Sequence, residues 1–221
     1  TFIKIIKLKK MKNLTLLILF IGAMAFGQTK LYVHPDADNY AAKTKTIAIL
    51  PLDVQVKLRP KQLKDFTTEQ IENMEKAEAL DIQKGMHSWF LTRKKRGTFT
   101  KDVQTPARTN AILTKAGIDI HNVTEYLPSE LGAILGVECV VMGSFETSKP
   151  MSDAAGIAIG VLFGAFTATN NAVCNLDFYN VEDDELVVNY LKKISGSLGT
   201  DAQDLINILM RKVTRRIPYT N

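Results

Sequence analysis

The stretch LGAILGVECVVMGSFETS, residues 131–148, carries the reading of the fold. Its first part completes a short helix near residues 129–135, which Gly136 closes, because glycine takes the left-handed conformation that ends helices. The chain then runs directly into residues 137–143, VECVVMG, a segment of strong β preference. A helix that feeds a buried strand without a linker belongs to an α/β arrangement, and the rest of the chain repeats that logic on both sides.

Upstream, Ile47, Ala48, Ile49 and Leu50 form a continuous apolar run stopped by Pro51, the pattern of a buried strand. Thr67 and Gln70 make a capping box for a long helix with Ile71, Met74, Ala77, Met86 and Trp89 among its apolar positions. That helix ends near Lys94, Lys95, Arg96 and Gly97, where cations complement the carbonyl end of the dipole. A strand around 99–103 leads to Thr105 and Pro106, a cap and first position for another helix, closed by Gly117. Downstream, residues 173–181 and 185–195 flank Glu182, Asp183 and Asp184 as a β-hairpin. A last helix starts at Thr200 with Gln203 and buries a stripe of Leu205, Leu209 and Val213. The expected fold is therefore α/β: a mixed β-sheet packed with α-helices, with an apolar, glycine-rich insertion.

The first residues set the composition apart. Lys12, the apolar stretch 14–23 and the small-x-small series Ala25, Phe26, Gly27 predict a secretory signal peptide over 11–27, cleaved before Gln28. Its apolar core of about ten residues is half of what a spanning helix needs. Residues 1–10 read as an upstream extension and 28–45 as a polar N-terminal lead-in, before a single domain over 46–217 with its insertion at 150–171. The whole chain has 28 basic and 23 acidic residues, and residues 1–27 hold five lysines and no acid. The mature balance is then 23 against 23, so net charge offers no footprint for nucleic acid. With no cysteine following the cleavage site, an unlipidated, exported chain is expected.

The segments IAILPLD (47–53), LTKAGI (113–118) and residues 131–148, followed by the hairpin and final helix, resemble the periplasmic domain shared by the curli secretion channel CsgG, the penicillin-binding-protein activator LpoB and the N-terminal domain of TolB. The resemblance spans roughly 46–217. It implies a non-enzymatic envelope protein, periplasmic and associated with the outer membrane, that binds an envelope partner or forms a homo-oligomer. It leaves open a ring-forming structural subunit of a secretion or surface-assembly complex. A hydrolase with an unrecognised site is the other alternative.

No nucleotide-binding, zinc-protease or serine-hydrolase motif stands in the chain; Gly196, Ser197, Leu198 and Gly199 only mimic the last. Asp183, Asp184 and Glu185 read as a solvated turn, so no catalytic residue, cofactor or metal is expected. Cys139 and Cys174 lie in strand-like segments that flank the insertion, which places them on neighbouring strands, either as two buried thiols or as a disulfide.

The insertion centres on AAGIAIGVLFGAFTA, residues 154–168, an uncharged run that needs a packing partner of protein or lipid. As a helix it sets Gly156, Gly160, Gly164 and Ala168 four apart, a small-residue ridge for close helix approach. As a strand it sets Ile157, Ile159, Val161 and Phe163 on one face. CsgG has a membrane hairpin at this place and a second one later, whereas here Ser195 leads almost directly into the final helix. The expectation is a helical protrusion for membrane contact or self-association, carried by Gly156, Ile157, Gly160, Phe163, Gly164 and Ala168; packing back on the domain is the alternative.

Overall fold

The computed structural model of the chain describes residues 29–58, 60–64, 66–148, 170–196, 202–213 and 217–220. The signal peptide, the cap at Thr200 and residues 154–168 lie outside them. The elements in order are β1 (Thr29–Val33), α1 (Ala37–Lys43), β2 (Thr46–Ile49), β3 (Asp53–Val56), α2 (Pro60–Leu63), α3 (Thr68–Lys95), β4 (Asp102–Val103), α4 (Pro106–Lys115), α5 (Pro128–Leu135), β5 (Cys139–Thr147), β6 (Asn170–Asn180), β7 (Leu186–Gly196) and α6 (Ala202–Val213). A 3-10 turn at Val123–Glu125 sits between α4 and α5.

The strands form one mixed sheet in the order β1-β7-β6-β5-β2-β4, with β3 joining β5 beyond the end of β2. Strands β2 and β3 run parallel to β5, whereas β6, β7 and β1 follow as antiparallel neighbours. The expected α/β sheet with packed helices is the fold observed.

The continuous apolar runs of β2 and of the first part of β5, Cys139–Val141, have a direct cause, since both are covered on both faces. Ile47, Ile49, Val141 and Phe145 enter the larger core, built with Met74, Ile82, Met86 and Phe90 of α3 and with Leu209, Met210 and Val213 of α6. Ala48, Leu50 and Val140 enter a smaller core with Leu113, Ile118, Val123, Leu131 and Leu135. Alternation would have left half of each strand unfilled.

The caps predicted at Thr67, Thr105 and Gly136 are present. Gln70 donates its backbone N–H to Thr67 Oγ1 at 3.2 Å, and Thr67 N–H donates to Gln70 Oε1 at 2.8 Å. Thr105 accepts from Arg108 N–H ahead of Pro106, and Gly136 ends α5 at φ +70°. Two buried amides brace the β2 end of the sheet: Gln83 Nε2 donates to Ile49 O at 2.7 Å, and Gln104 Nε2 donates to Leu135 O at 2.9 Å. Glu138 fixes the start of β2 by accepting from the backbone of Lys45 and Thr46.

Two sequence expectations change, and the choice left open for the cysteines is decided in favour of two buried thiols. The lead-in is part of the sheet: β1 pairs with β7 from Thr29↔Lys192 to Val33↔Val188. The strand expected around 99–103 contracts to Asp102–Val103, with Phe99 bridging instead to Thr220 near the end of the chain. The disulfide is absent. Cys139 and Cys174 occupy adjacent strands as expected, but Cys174 lies opposite Phe145, six residues along β5 from Cys139. At about 3.3 Å per residue that is roughly 20 Å, far beyond the Cα separation of about 4.4–6.8 Å that a disulfide spans. Both thiols are free and buried.

Candidate functional site

One face of the sheet is closed by the larger core. On the other, among the described residues, the helices that pack are α4 and α5, and part of the face carries no helix. Alternation from the buried residues shows which side chains stand there. Leu31, Leu176, Phe178, Val188, Tyr190, Val141, Phe145 and Val54 belong to the larger core, so their strand neighbours point the opposite way, except Val187, which also joins that core where the β6–β7 register shifts. The pairing register arranges these neighbours in rows across the strands. One row is Tyr32, Asn189, Asp177 and Met142. The next is Lys30, Leu191, Asn175, Ser144 and Asp53, and a third is Lys193, Val173, Glu146 and Gln55. None of these side chains is fully buried, and Tyr32, Lys30, Lys193, Glu146 and Gln55 are exposed.

Asp177 sits near the middle of this shelf. Its carboxylate accepts from Asn175 Nδ2 at 2.6 Å and from Asn189 Nδ2 at 2.5 Å, and Asn189 also reaches Asn175 Oδ1 at 2.8 Å. The three side chains therefore hold one another flat against β6 and β7. Partial burial raises the Asp177 carboxyl above the ordinary value, against the opposing pull of the two amides. Burial, then the Asp177 charge, also raises the phenol of Tyr179, the next residue along this face. Gly143 makes the shelf possible on the β5 side. A Cβ there would meet the backbone oxygen of Asn175 at 2.0 Å, and its φ is +152°.

Charge is unevenly spread. Lys30 and Lys193 lie on β1 and β7, whereas Asp53 and Glu146 lie on β3 and β5. Glu146 has a cation 3.7 Å away in Lys57, an exposed pair of little energetic weight.

At the opposite end of the strands, the β6–β7 turn is not merely solvated. Asp183 accepts from Asn180 Nδ2 at 2.7 Å, from Glu185 N–H and from the Tyr40 hydroxyl, and the Asn180 bond leads the causes that lower its carboxyl pKa. Asp184 accepts from Ser129 in α5. These acids tie the turn to α1 and α5. The sequence could not reveal this, because Tyr40 and Ser129 are more than fifty residues away.

Cys139 and Cys174 face the larger core, where burial pushes both thiols up to about 12. Gly156, Ile157, Gly160, Phe163, Gly164 and Ala168 lie outside the described residues. No helix among the described residues is long and apolar enough to cross a membrane. No group of His, Cys, Asp and Glu among them could hold a metal ion.

Comparison with known proteins gives no matching family model and no matching curated protein. Solved structures do match. Lipoprotein GNA1162 from Neisseria meningitidis aligns with a TM-score of 0.44 at 12% identity, over 78% of this chain and 97% of its own. A PelC dodecamer from Paraburkholderia phytofirmans aligns with a TM-score of 0.37 at 11% identity, over 88% and 99%. The LpoB C-terminal domain from Salmonella enterica aligns with a TM-score of 0.30 at 6% identity, over 72% and 94%. At these scores and identities none of the three fixes a family or a function for this chain.

Proposed function

We propose that this chain is an exported, non-enzymatic bacterial envelope protein that works by protein contact, with the uncovered sheet face as its contact surface. The observation that supports this reading is the hydrogen bonding of Asn175, Asp177 and Asn189 to one another. These bonds hold the three side chains along the sheet face and make a polar surface suited to protein contact. Export rests on the leader at 11–27, and periplasmic residence at the outer membrane on the family resemblance. Affinity capture from native envelope tests the reading, using the wild type and an Asn189→Arg/Ser144→Arg variant. The wild type is expected to retain a partner that the variant loses. N-terminal sequencing of the envelope fraction should begin at Gln28, and an intact Met11 terminus on cytoplasmic protein would overturn the export reading.

A second contact is proposed through residues 154–168. Strands β5 and β6 stay paired as far as Thr147↔Ala172, so the segment leaves and re-enters the sheet at neighbouring points. Flotation with liposomes tests it: Ile157→Asp and Phe163→Asp should reduce lipid binding, and Gly160→Leu and Gly164→Leu should reduce self-association. Unchanged flotation and mass in all four variants would remove this second contact.

A further inference from the structure

The geometry points to a specific occupant for the uncovered face: a second copy of this chain, docked face to face about a two-fold axis that runs parallel to the strands above β6. The inference rests on the reading of that face as a contact surface and names what it contacts. Its basis is the placement of charge in the register. In the row Lys30, Leu191, Asn175, Ser144, Asp53, the lysine and the aspartate stand two strands to either side of β6. In the row Lys193, Val173, Glu146, the lysine and the glutamate stand one strand to either side.

A rotation about an axis along β6 exchanges the two sides and keeps each row in place. It sets Lys30 over the second copy's Asp53, and Lys193 over its Glu146. Because the operation is symmetric, each pairing occurs twice. Strands lie about 4.8 Å apart and packed sheets about 10 Å apart, so lysine side chains reach across such a gap. The alternative two-fold axis, perpendicular to the strands along a row, sets Lys30 over Lys30 and Asp53 over Asp53. The charges therefore favour one orientation and oppose the other.

The residues on the axis also matter. Val173, Asn175 and Asp177 would each meet their own counterparts, and of these only Asp177 brings like charges together. The contact is polar, which suits a reversible dimer rather than an obligate one.

The experiment uses the chain from Gln28 onward, measured by sedimentation velocity over a concentration series at low ionic strength. The wild type is expected to show a monomer–dimer equilibrium. Lys30→Glu/Lys193→Glu, and separately Asp53→Lys/Glu146→Lys, should each weaken self-association on the order of tenfold or more. An equimolar mixture of these two variants should restore the dimer as a heterodimer, because every pair across the axis is again opposite in charge. Asp177→Asn should tighten the dimer by removing the like charges on the axis. Circular dichroism of each variant shows that the sheet is intact. A wild type that stays monomeric together with a mixture that does not associate overturns the inference, as does a dimer insensitive to all four reversals. A monomer that still captures an envelope partner through this face overturns only the identity of the occupant and leaves the contact-surface reading standing.

Discussion

The Asp184 carboxylate accepts the backbone N–H of Ser129 at 2.5 Å and its hydroxyl at 2.8 Å, across fifty-five residues of sequence. An acid in the hairpin turn thus serves the first turn of α5, where unpaired N–H groups and the positive end of the dipole favour a carboxylate. Asp184 holds φ +59° to reach it, a conformation that Asp and Asn tolerate better than most residues. Asp184→Ala should lower stability by about 1–2 kcal/mol in urea unfolding. Asp184→Asn keeps the backbone tolerance and one acceptor, so it should lose less. Equal losses in the two variants would show that neither feature matters.

Gly143 and Gly117 separate two reasons for glycine. Gly117 has φ +74° and open space around it, so Gly117→Ala should cost about 1–2 kcal/mol from backbone conformation alone. Gly143 combines φ +152° with a backbone oxygen 2.0 Å from any added Cβ. Strand separation would have to change, and Gly143→Ala should cost about 3 kcal/mol or prevent folding. Similar unfolding midpoints for the two variants would defeat this distinction.

The cysteines should resist labelling. With burial pushing each thiol up to about 12, only about one in ten thousand is ionised at pH 8, even before access is considered. A thiol reagent such as Ellman's should react with the native chain no faster than global unfolding permits, and then with two equivalents in denaturant. Rapid native reaction, or a disulfide on non-reducing electrophoresis, would contradict the observed placement.

Asp177 should titrate above the ordinary aspartate value in the folded state. A raised carboxyl favours the folded chain while protonated, and that contribution fades as pH rises through the folded value because the unfolded chain releases its proton first. The stability of Asp177→Asn relative to wild type should therefore increase between pH 3 and pH 7. Carbon-detected NMR of the carboxyl gives the titration directly, and a midpoint at or below the ordinary value would reject the prediction.

Much of the frame could be read from local pattern. The capping box at Thr67 and Gln70, the stop at Gly136 and the hairpin around residues 182–184 are short-range signals, and each appears where expected. Strand β1 escaped because TKLYV is too short and too mixed to show an alternating face. Its strand character comes from the exposed edge of β7, which no window of sequence contains. The candidate surface was hidden for a related reason. Asn175, Asp177 and Asn189 read as ordinary strand polar residues until the β6–β7 register places them side by side. The apolar segment 154–168 drew the sequence reading toward lipid because its hydrophobicity is local, whereas the sheet face is an assembled property.

The pairing of Thr29 with Lys192 joins positions 163 residues apart. For a chain made N-terminus first on the ribosome, this bears on the order of events. The first strand to arrive waits for almost the last, and β5, β6 and β7 must come together before β1 has an edge to join. Such distant pairing is slow, and it exposes an unpaired strand and an unpaired edge for the whole interval. Folding therefore ends on a late closing step, in which β1 joins the edge of β7.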